Sequence, residues 1–363
     1  MWSLENRETG KAWTGRADGA VLYTSSGKAE RAKESSSNED AEAKLVSDVW
    51  AKLKAGFVAR RADGVWLAHA GKGHAWLGSS PIASAEEDDS FYAILSRQGR
   101  NILVYAQENC DLSEFVDLPG ERMVRSIAYV NGLVLANMDG QIHSIDPQTG
   151  TSKELTTVEF NLGGSLEVRG SLACWHDGTR CIVQDFNTGE TVWSRELVAG
   201  MWEGHTPMLA LDLGTDRVAY CVSENEIIVE NFAGGQQVIV KTEPELTENL
   251  WLTGEGTLWS HGPYSPIRRY DLETGTEGWA QESDENVALD FDRERSRLSI
   301  VQGSHARMII PYNLVEQDSL ELEYVVHTAG VAFTRNGLAV LTDRGSVGWY
   351  PLQEQAENRE DSK

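Results

Sequence analysis

The chain has 363 residues, 40% of them apolar, and carries 56 Asp and Glu against 32 Lys and Arg, a formal net charge of -24. That apolar content supports a packed core and excludes a disordered chain, while the acidity argues against nucleic acid or anionic lipid as a partner for the body of the chain. No run of ~18 apolar residues occurs, so no membrane-spanning helix is expected.

Met1–Gly10 has Glu5 and Glu8 and no apolar stretch, so it does not read as a secretory signal, and four Cys do not make a disulfide framework in so long a chain. A cytoplasmic protein is expected. The charge is segregated. Residues 1–58 hold nine basic and nine acidic side chains, so the entire -24 falls on residues 59–363. Such an asymmetry points to two modules with different surfaces.

In the first module, short strands are expected over 11–33, with turns at Asp18-Gly19 and Ser25-Ser26-Gly27. The polar run Ser35-Ser36-Ser37-Asn38 supplies helix N-cap residues. After it, Ala41, Leu45, Val49 and Leu53 recur at four-residue spacing beside Trp50, the pattern of an amphipathic helix. Glu39, Asp40 and Glu42 at its start and Lys52 and Lys54 at its end suit the helix dipole, and Gly56 suits its C-terminal stop.

Residues 1–58 resemble a WGR domain, a small α+β unit. The resemblance is carried by Lys11-Ala12-Trp13, Asp18-Gly19, Leu22-Tyr23-Thr24, Gly27-Lys28 and the close Lys52-Leu53-Lys54-Ala55-Gly56-Phe57. In nuclear poly(ADP-ribose) polymerases this domain contacts DNA near a strand end and signals to its neighbours. The resemblance makes Arg16, Tyr23, Lys28, Arg31 and Lys33 the candidate binding residues. Where the family has its aromatic-Gly-Arg triplet this chain has Tyr23-Thr24-Ser25-Ser26-Gly27, so DNA binding is expected to be weak or absent.

Beyond the module a repeat appears. Asp146-Pro147-Gln148-Thr149-Gly150, Asp185-Phe186-Asn187-Thr188-Gly189 and Asp271-Leu272-Glu273-Thr274-Gly275 share one pattern, and Asn231-Phe232-Ala233-Gly234-Gly235 is a degenerate copy. The spacings are 39, 46 and 40 residues, with weaker copies at His69, Ala106, Asn313 and Pro351. A period of ~40 residues indicates a solenoid or propeller. Within one period, strands are expected over Ser126–Val130, Leu133–Asn137, Gln141–Ile145 and Ser152–Val158, with turns at Asn131-Gly132, Asp139-Gly140 and Thr149-Gly150. Four short antiparallel strands per period make one propeller blade.

The run Asp-x-x-Thr-Gly-x-x-x-Trp, at Asp185–Trp193 and Asp271–Trp279, resembles the blades of quinoprotein-like propellers, including the outer-membrane assembly type, and Trp76 fits the same position. The resemblance makes Trp193 and Trp279 blade-to-blade packing residues. The expected fold is therefore mainly β: a WGR-like domain over 1–58, a β-propeller over 59–352, and a disordered polar tail over 353–363. Eight third strands favour eight blades. Pairing an outer strand near His74–Gly78 with the last three strands would give seven instead.

Catalytic motifs are absent from the sequence. No Gly-rich phosphate loop opens a helix and no Gly-x-Ser-x-Gly elbow occurs. Quinone chemistry is rejected, because its enzymes are exported and this chain has no signal and no adjacent Cys. Neither a metal nor a cofactor is expected. Cys174 and Cys181 flank a turn at Asp177-Gly178, so they are expected to face each other across a hairpin beside His176, as small apolar residues. Arg293, Arg295 and Arg297 alternate with Asp292 and Glu294 and are expected to form a solvated, self-paired loop. The resulting expectation is a non-catalytic scaffold or regulatory subunit that meets protein partners. A DNA-associated regulator and a metal-dependent hydrolase or lyase at the propeller centre are the alternatives.

Overall fold

A computed structural model of the protein describes residues 1–27, 29–69, 72–73, 81–85, 89–97, 100–107, 112–118, 124–138, 141–157, 166–177, 180–196, 211–214, 216–223, 225–234, 237–243, 247, 249–253, 256–262, 265–282, 287–293, 295–311, 313–322, 328–342 and 345–352. Lys28, Trp76, the His74–Gly78 segment, the Asp139-Gly140 turn and the 353–363 tail lie outside the described residues.

The N-terminal unit comprises β1 (Trp2–Asn6), β2 (Ala12–Asp18), β3 (Val21–Ser25), β4 (Arg31–Glu34), α1 (Asn38–Lys54) and β5 (Phe57–Arg61). The strands form an antiparallel sheet in the order β5-β1-β2-β3-β4. Helix α1 starts where Ser37, in extended conformation, accepts the Asp40 N–H at 3.1 Å. It ends before Gly56, whose φ of 81° only glycine adopts without cost. Its buried stripe is Ala41, Val49 and Leu53, as the four-residue spacing implies.

Six sheets then follow along the chain. Blade 1 is built on Ile82–Ser84, Phe91–Arg97, Arg100–Ala106 and Leu112–Leu118, with Lys72–Gly73 also paired to Phe91–Arg97. Blades 2 to 6 have four antiparallel strands each, in chain order, over 124–157, 167–196, 211–241, 249–281 and 287–321. The last three strands, Thr328–Phe333, Gly337–Thr342 and Ser346–Pro351, do not end there. Ser346–Trp349 pairs with β6 (Trp66–His69), and β6 pairs with β5. The result is one nine-stranded sheet joining the last blade to the whole N-terminal unit. The first strands of successive sheets pack side by side around the centre, so the architecture is a β-propeller.

The eight-blade expectation is corrected by β6. His69 resembles the end of a third strand, and so it counts as a repeat of its own in the sequence pattern. Its strand is instead the fourth strand of the last sheet, with Leu67 opposite Gly348 and Trp66 opposite Trp349. That leaves six self-contained blades and one composite sheet among the described residues.

The Asp-x-x-Thr-Gly repeat is a turn between the third and fourth strands. Asp271 Oδ1 accepts the N–H groups of Glu273 and Thr274 at 2.8 and 3.0 Å, while its carbonyl accepts the Gly275 N–H at 2.8 Å. Asp146 repeats the pattern with Gln148, Thr149 and Gly150. Gly150, Gly189 and Gly275 have φ of 71°, 77° and 68°. The carboxylate thus satisfies the backbone of a turn that only glycine closes without strain.

The N-terminal unit shares its core with the ring. Trp2, Leu4, Trp13, Val49 and Leu53 lie in one buried cluster with Met308 of blade 6 and Phe333, Leu338 and Tyr350 of the composite sheet. Trp50 of α1 meets the His69 ring edge-on at 5.8 Å.

Candidate functional site

The centre of the propeller holds a cavity of about 970 Å³. It is lined by the first strands of blades 1, 2, 3, 5 and 6 and of the composite sheet. Charged side chains converge there from different blades: Glu167 from blade 3, Asp290, Arg293 and Arg295 from blade 6, and Arg335 from the composite sheet. Asp212 of blade 4 lies behind them and is fully buried.

Two of these acids act as ties between neighbouring blades. Asp212 accepts the backbone N–H of Leu252 in blade 5 and pairs with the Arg293 guanidinium, which also donates to the Leu252 carbonyl at 2.8 Å. Asp290 accepts the Phe333 N–H of the composite sheet at 2.6 Å. In both cases a carboxylate on one first strand satisfies the backbone of the next sheet around the ring, 40 and 43 residues on.

Three carboxyls therefore share one arginine. Burial is the largest influence on Glu167 and holds its carboxyl well above the usual range, with repulsion from Asp212 and Asp290 adding to the shift and Arg293 opposing it. Asp290 is pushed up to about 6 by burial, against the N–H groups of Phe333 and Phe291. Burial also raises Asp212, in spite of Arg293. Burial disfavours charge on Arg293, yet Asp212, Glu167 and Asp290 outweigh it and hold the guanidinium protonated. Glu167 and Asp290 keep some contact with the cavity, whereas Asp212 has none.

This site corrects the expected fate of the arginine loop. Arg295 and Arg297 pair with Asp292 at 3.0 and 3.1 Å, so those two are self-paired as the alternation implied. Arg293 turns inward and serves another blade. Sequence reasoning missed the carboxyls as well, although a signal exists: Leu211-Asp212 and Leu289-Asp290 repeat the same pair on two first strands.

The residues drawn from the WGR resemblance are divided. Arg16 lies 3.9 Å over the Tyr23 ring on one sheet face, and pairs with Asp18 and Glu30 at 3.3 and 3.6 Å. Arg31 and Lys33 stand on the exposed edge strand β4, opposite Thr24 and Leu22 and so on the other face, the one that carries the buried Leu22. Lys28 is outside the described residues.

Trp193 is buried, donates its indole N–H to Glu230 of blade 4 at 3.0 Å and tilts against Tyr220 at 5.7 Å. Trp279 is half-buried against Trp259 at 5.5 Å, beside the cluster that joins blades 5 and 6. The cysteine hairpin differs from expectation. The Asp177 N–H donates to the Arg180 carbonyl, and the strand register sets Cys181 opposite His176 and Cys174 opposite Val183, so the two cysteines are not paired; Gly178 of the expected turn lies outside the described residues. Cys174, Cys181 and Cys221 are buried in one apolar cluster. Burial pushes the Cys174 and Cys181 thiols up, which makes them poor nucleophiles. Among the described residues no group of three or more His, Cys, Asp and Glu is placed to hold a metal, and no helix is long and apolar enough to cross a membrane.

No family model matches the chain, and no curated protein is detectably similar in sequence. Solved structures are similar in fold. A chain from a crystal structure of a mitotic checkpoint complex superposes with a TM-score of 0.62 at 9% identity, over 79% of this chain and 94% of that one. The WD40 β-propeller domain of Doa1 gives 0.58 at 13% identity, over 79% and 96%. BamB from Moraxella catarrhalis gives 0.53 at 11% identity, over 81% and 95%. At these identities the likeness establishes a β-propeller of WD40-like and BamB-like form and nothing about activity.

Proposed function

We propose that the protein is a cytoplasmic, non-catalytic interaction scaffold or regulatory subunit. Its propeller presents the ring surface to protein partners, and its N-terminal unit, WGR-like in sequence pattern, offers a second contact. The observation that carries this reading is the use made of the central charges. Asp212, Asp290 and Arg293 hold neighbouring first strands together, so the groups best suited to acid-base work are tied into the frame. Fold likeness to a chain solved within a checkpoint complex agrees with such a role by analogy. The DNA reading has less support, because Arg16 and Tyr23 are on a different face from Arg31 and Lys33 and Arg16 is already ion-paired.

Size-exclusion of a native lysate containing the tagged full chain tests the reading. The protein is expected to elute in a complex that can be rebuilt from purified components. Elution alone at its 40.1 kDa mass overturns the proposal. Tight, salt-sensitive duplex binding in gel-shift titrations, lost in Arg31→Glu and Lys33→Glu, would replace it with the DNA-associated role.

A further inference from the structure

We propose that β4 is a docking edge for an extended acidic segment of a partner protein, which joins the N-terminal sheet as one more antiparallel strand and sets acidic side chains opposite Arg31 and Lys33. This rests on the scaffold reading above and names the surface and the chemistry of its second contact.

The open edge follows from the register. β4 is the last strand of the nine-stranded sheet, and its four residues are all exposed. It pairs with β3 without a bulge, Leu22 opposite Lys33 and Thr24 opposite Arg31. Just beyond it the Ser35 N–H donates to the Ala20 carbonyl at 2.8 Å. Hydrogen-bonded pairs alternate along an antiparallel ladder, so Arg31 and Lys33 turn their backbone groups to β3, while Ala32 and Glu34 turn theirs out of the sheet. Those outward groups meet no hydrogen-bond partner among the described residues. An added strand satisfies them, which is how extended peptides join an existing sheet.

Charge selects the occupant. Arg31 and Lys33 share one face, and neither makes an ion pair among the described residues. Glu30, beside them in the chain, is taken by Arg16 at 3.6 Å. The outer strands of the blades, Leu112–Leu118, Thr151–Thr157, Thr191–Glu196, Gln237–Lys241, Thr276–Gln281 and Glu316–Glu321, carry at most one basic residue each. A second copy of this chain does not fit. A two-fold register centred on Ala32 sets Arg31 of one copy opposite Lys33 of the other, and one centred on Arg31, Lys33 or Glu34 sets that residue opposite itself. Like charges directly opposite are destabilising. Lysine on an edge guards against self-pairing, and together with Arg31 it favours an acidic strand. Residues opposite Arg31 and Lys33 fall in the non-hydrogen-bonded pairs, where side chains come closest. The acidity of residues 59–363 is screened beyond ~8 Å at physiological salt, so the local cations decide.

Fluorescence anisotropy with the full chain tests the edge. The probes are a blocked, dye-labelled seven-residue peptide alternating valine and glutamate, its glutamine and lysine counterparts, and two acidic versions N-methylated at the valines or at the glutamates. The acidic peptide is expected to bind at least about fivefold more tightly than the glutamine peptide. Methylation at the valines, whose N–H groups face β4 in this register, is expected to abolish binding, whereas methylation at the glutamates is expected to preserve it. Ala32→Pro removes one outward N–H and no bond to β3, so it is expected to keep the melting temperature and weaken the acidic peptide by about fivefold or more. Arg31→Glu combined with Lys33→Glu is expected to exchange the preference for the lysine peptide, a gain that misfolding does not produce. Equal binding of the acidic and glutamine peptides, no binding of the acidic peptide, equal effects of the two methylation patterns, or full affinity in folded Ala32→Pro overturns the docking edge. Duplex DNA that displaces the acidic peptide and binds more tightly than it does overturns the edge in favour of the DNA-associated role. Co-elution with a partner is read separately from the lysate, so either proposal can fail while the other stands.

Discussion

At the residue scale, the acids of this protein fall into two populations with opposite effects on stability. Asp146, Asp185 and Asp271 sit in exposed turns, where backbone N–H groups and threonine hydroxyls hold their carboxyls below the usual range. Their contribution is present above the ordinary carboxylate value and is lost as pH falls through the lowered one. Asp290 behaves in reverse. Burial raises it from 3.8 to about 6, so between those values the folded protein binds a proton that the unfolded chain does not. Its contribution is therefore complete below 3.8 and lost as pH rises through about 6. Urea denaturation midpoints are expected to rise as pH is lowered from 7 to 5, and Asp290→Asn is expected to flatten that rise. Asn still offers an oxygen to the Phe333 N–H, so a variant with the same slope as the parent would show that Asp290 does not titrate in this window.

At the element scale, the third-to-fourth-strand turn was legible in the sequence because its chemistry is local. An Asp that accepts from the residues two and three positions on, followed by a glycine at positive φ, needs no distant partner, and the motif returned three such turns, at Asp146, Asp185 and Asp271. The helix was legible for the same reason, through Ser37 and the spacing of Ala41, Val49 and Leu53. What was not legible is whatever depends on a neighbour remote in sequence. The ties from Asp212 to Leu252 and from Asp290 to Phe333 span a blade each, and a lone Asp on a strand carries no sign of the backbone it will meet. The turn glycines themselves divide along this line. Gly189, with φ 77°, has open space where a Cβ would project, whereas at Gly275, with φ 68°, a Cβ would meet the Ile239 carbonyl of the neighbouring blade at 3.0 Å. Gly189→Ala is expected to cost about 1–2 kcal/mol, the strain of the left-handed backbone alone. Gly275→Ala adds a clash with backbone and is expected to cost more, by about 1 kcal/mol or above. Equal denaturation midpoints for the two variants would mean that the blades do not approach so closely.

At the scale of the whole molecule, the ring is closed by joining the start of the chain to its end. β6 supplies the outer strand of the last sheet, pairing across some 280 residues, from His69 to Ser346. A second closure lies nearer the centre. Asp89, preceding the second strand of blade 1, accepts the Thr334 hydroxyl at 2.8 Å and the Asn336 N–H at 2.6 Å, and the Trp349 indole donates to the same hydroxyl at 2.9 Å. Closure removes an exposed sheet edge, which is the device that keeps so short-stranded a protein from pairing with its own copies. The seven-blade alternative anticipated an early outer strand on the last three but placed it near His74–Gly78, because any apolar four-residue strand reads alike; the pairing is made by Trp66–His69. Trp66, Leu67 and Ala68 are all buried, so deleting them exposes the facing side of Ser346–Pro351 and forfeits roughly 3–6 kcal/mol of apolar burial. Two fragments separate this effect from loss of the N-terminal unit. Residues 59–352 keep β6 and are expected to show a β-type circular dichroism spectrum and one cooperative thermal transition. Residues 70–352 lack it and are expected to melt about 10 °C lower and over a broader range. The fragments differ only by the segment that pairs with the last sheet, so equal melting curves would place the closure of the ring in the Asp89 contacts alone, and an unfolded 59–352 fragment would make the N-terminal unit an obligatory part of the propeller.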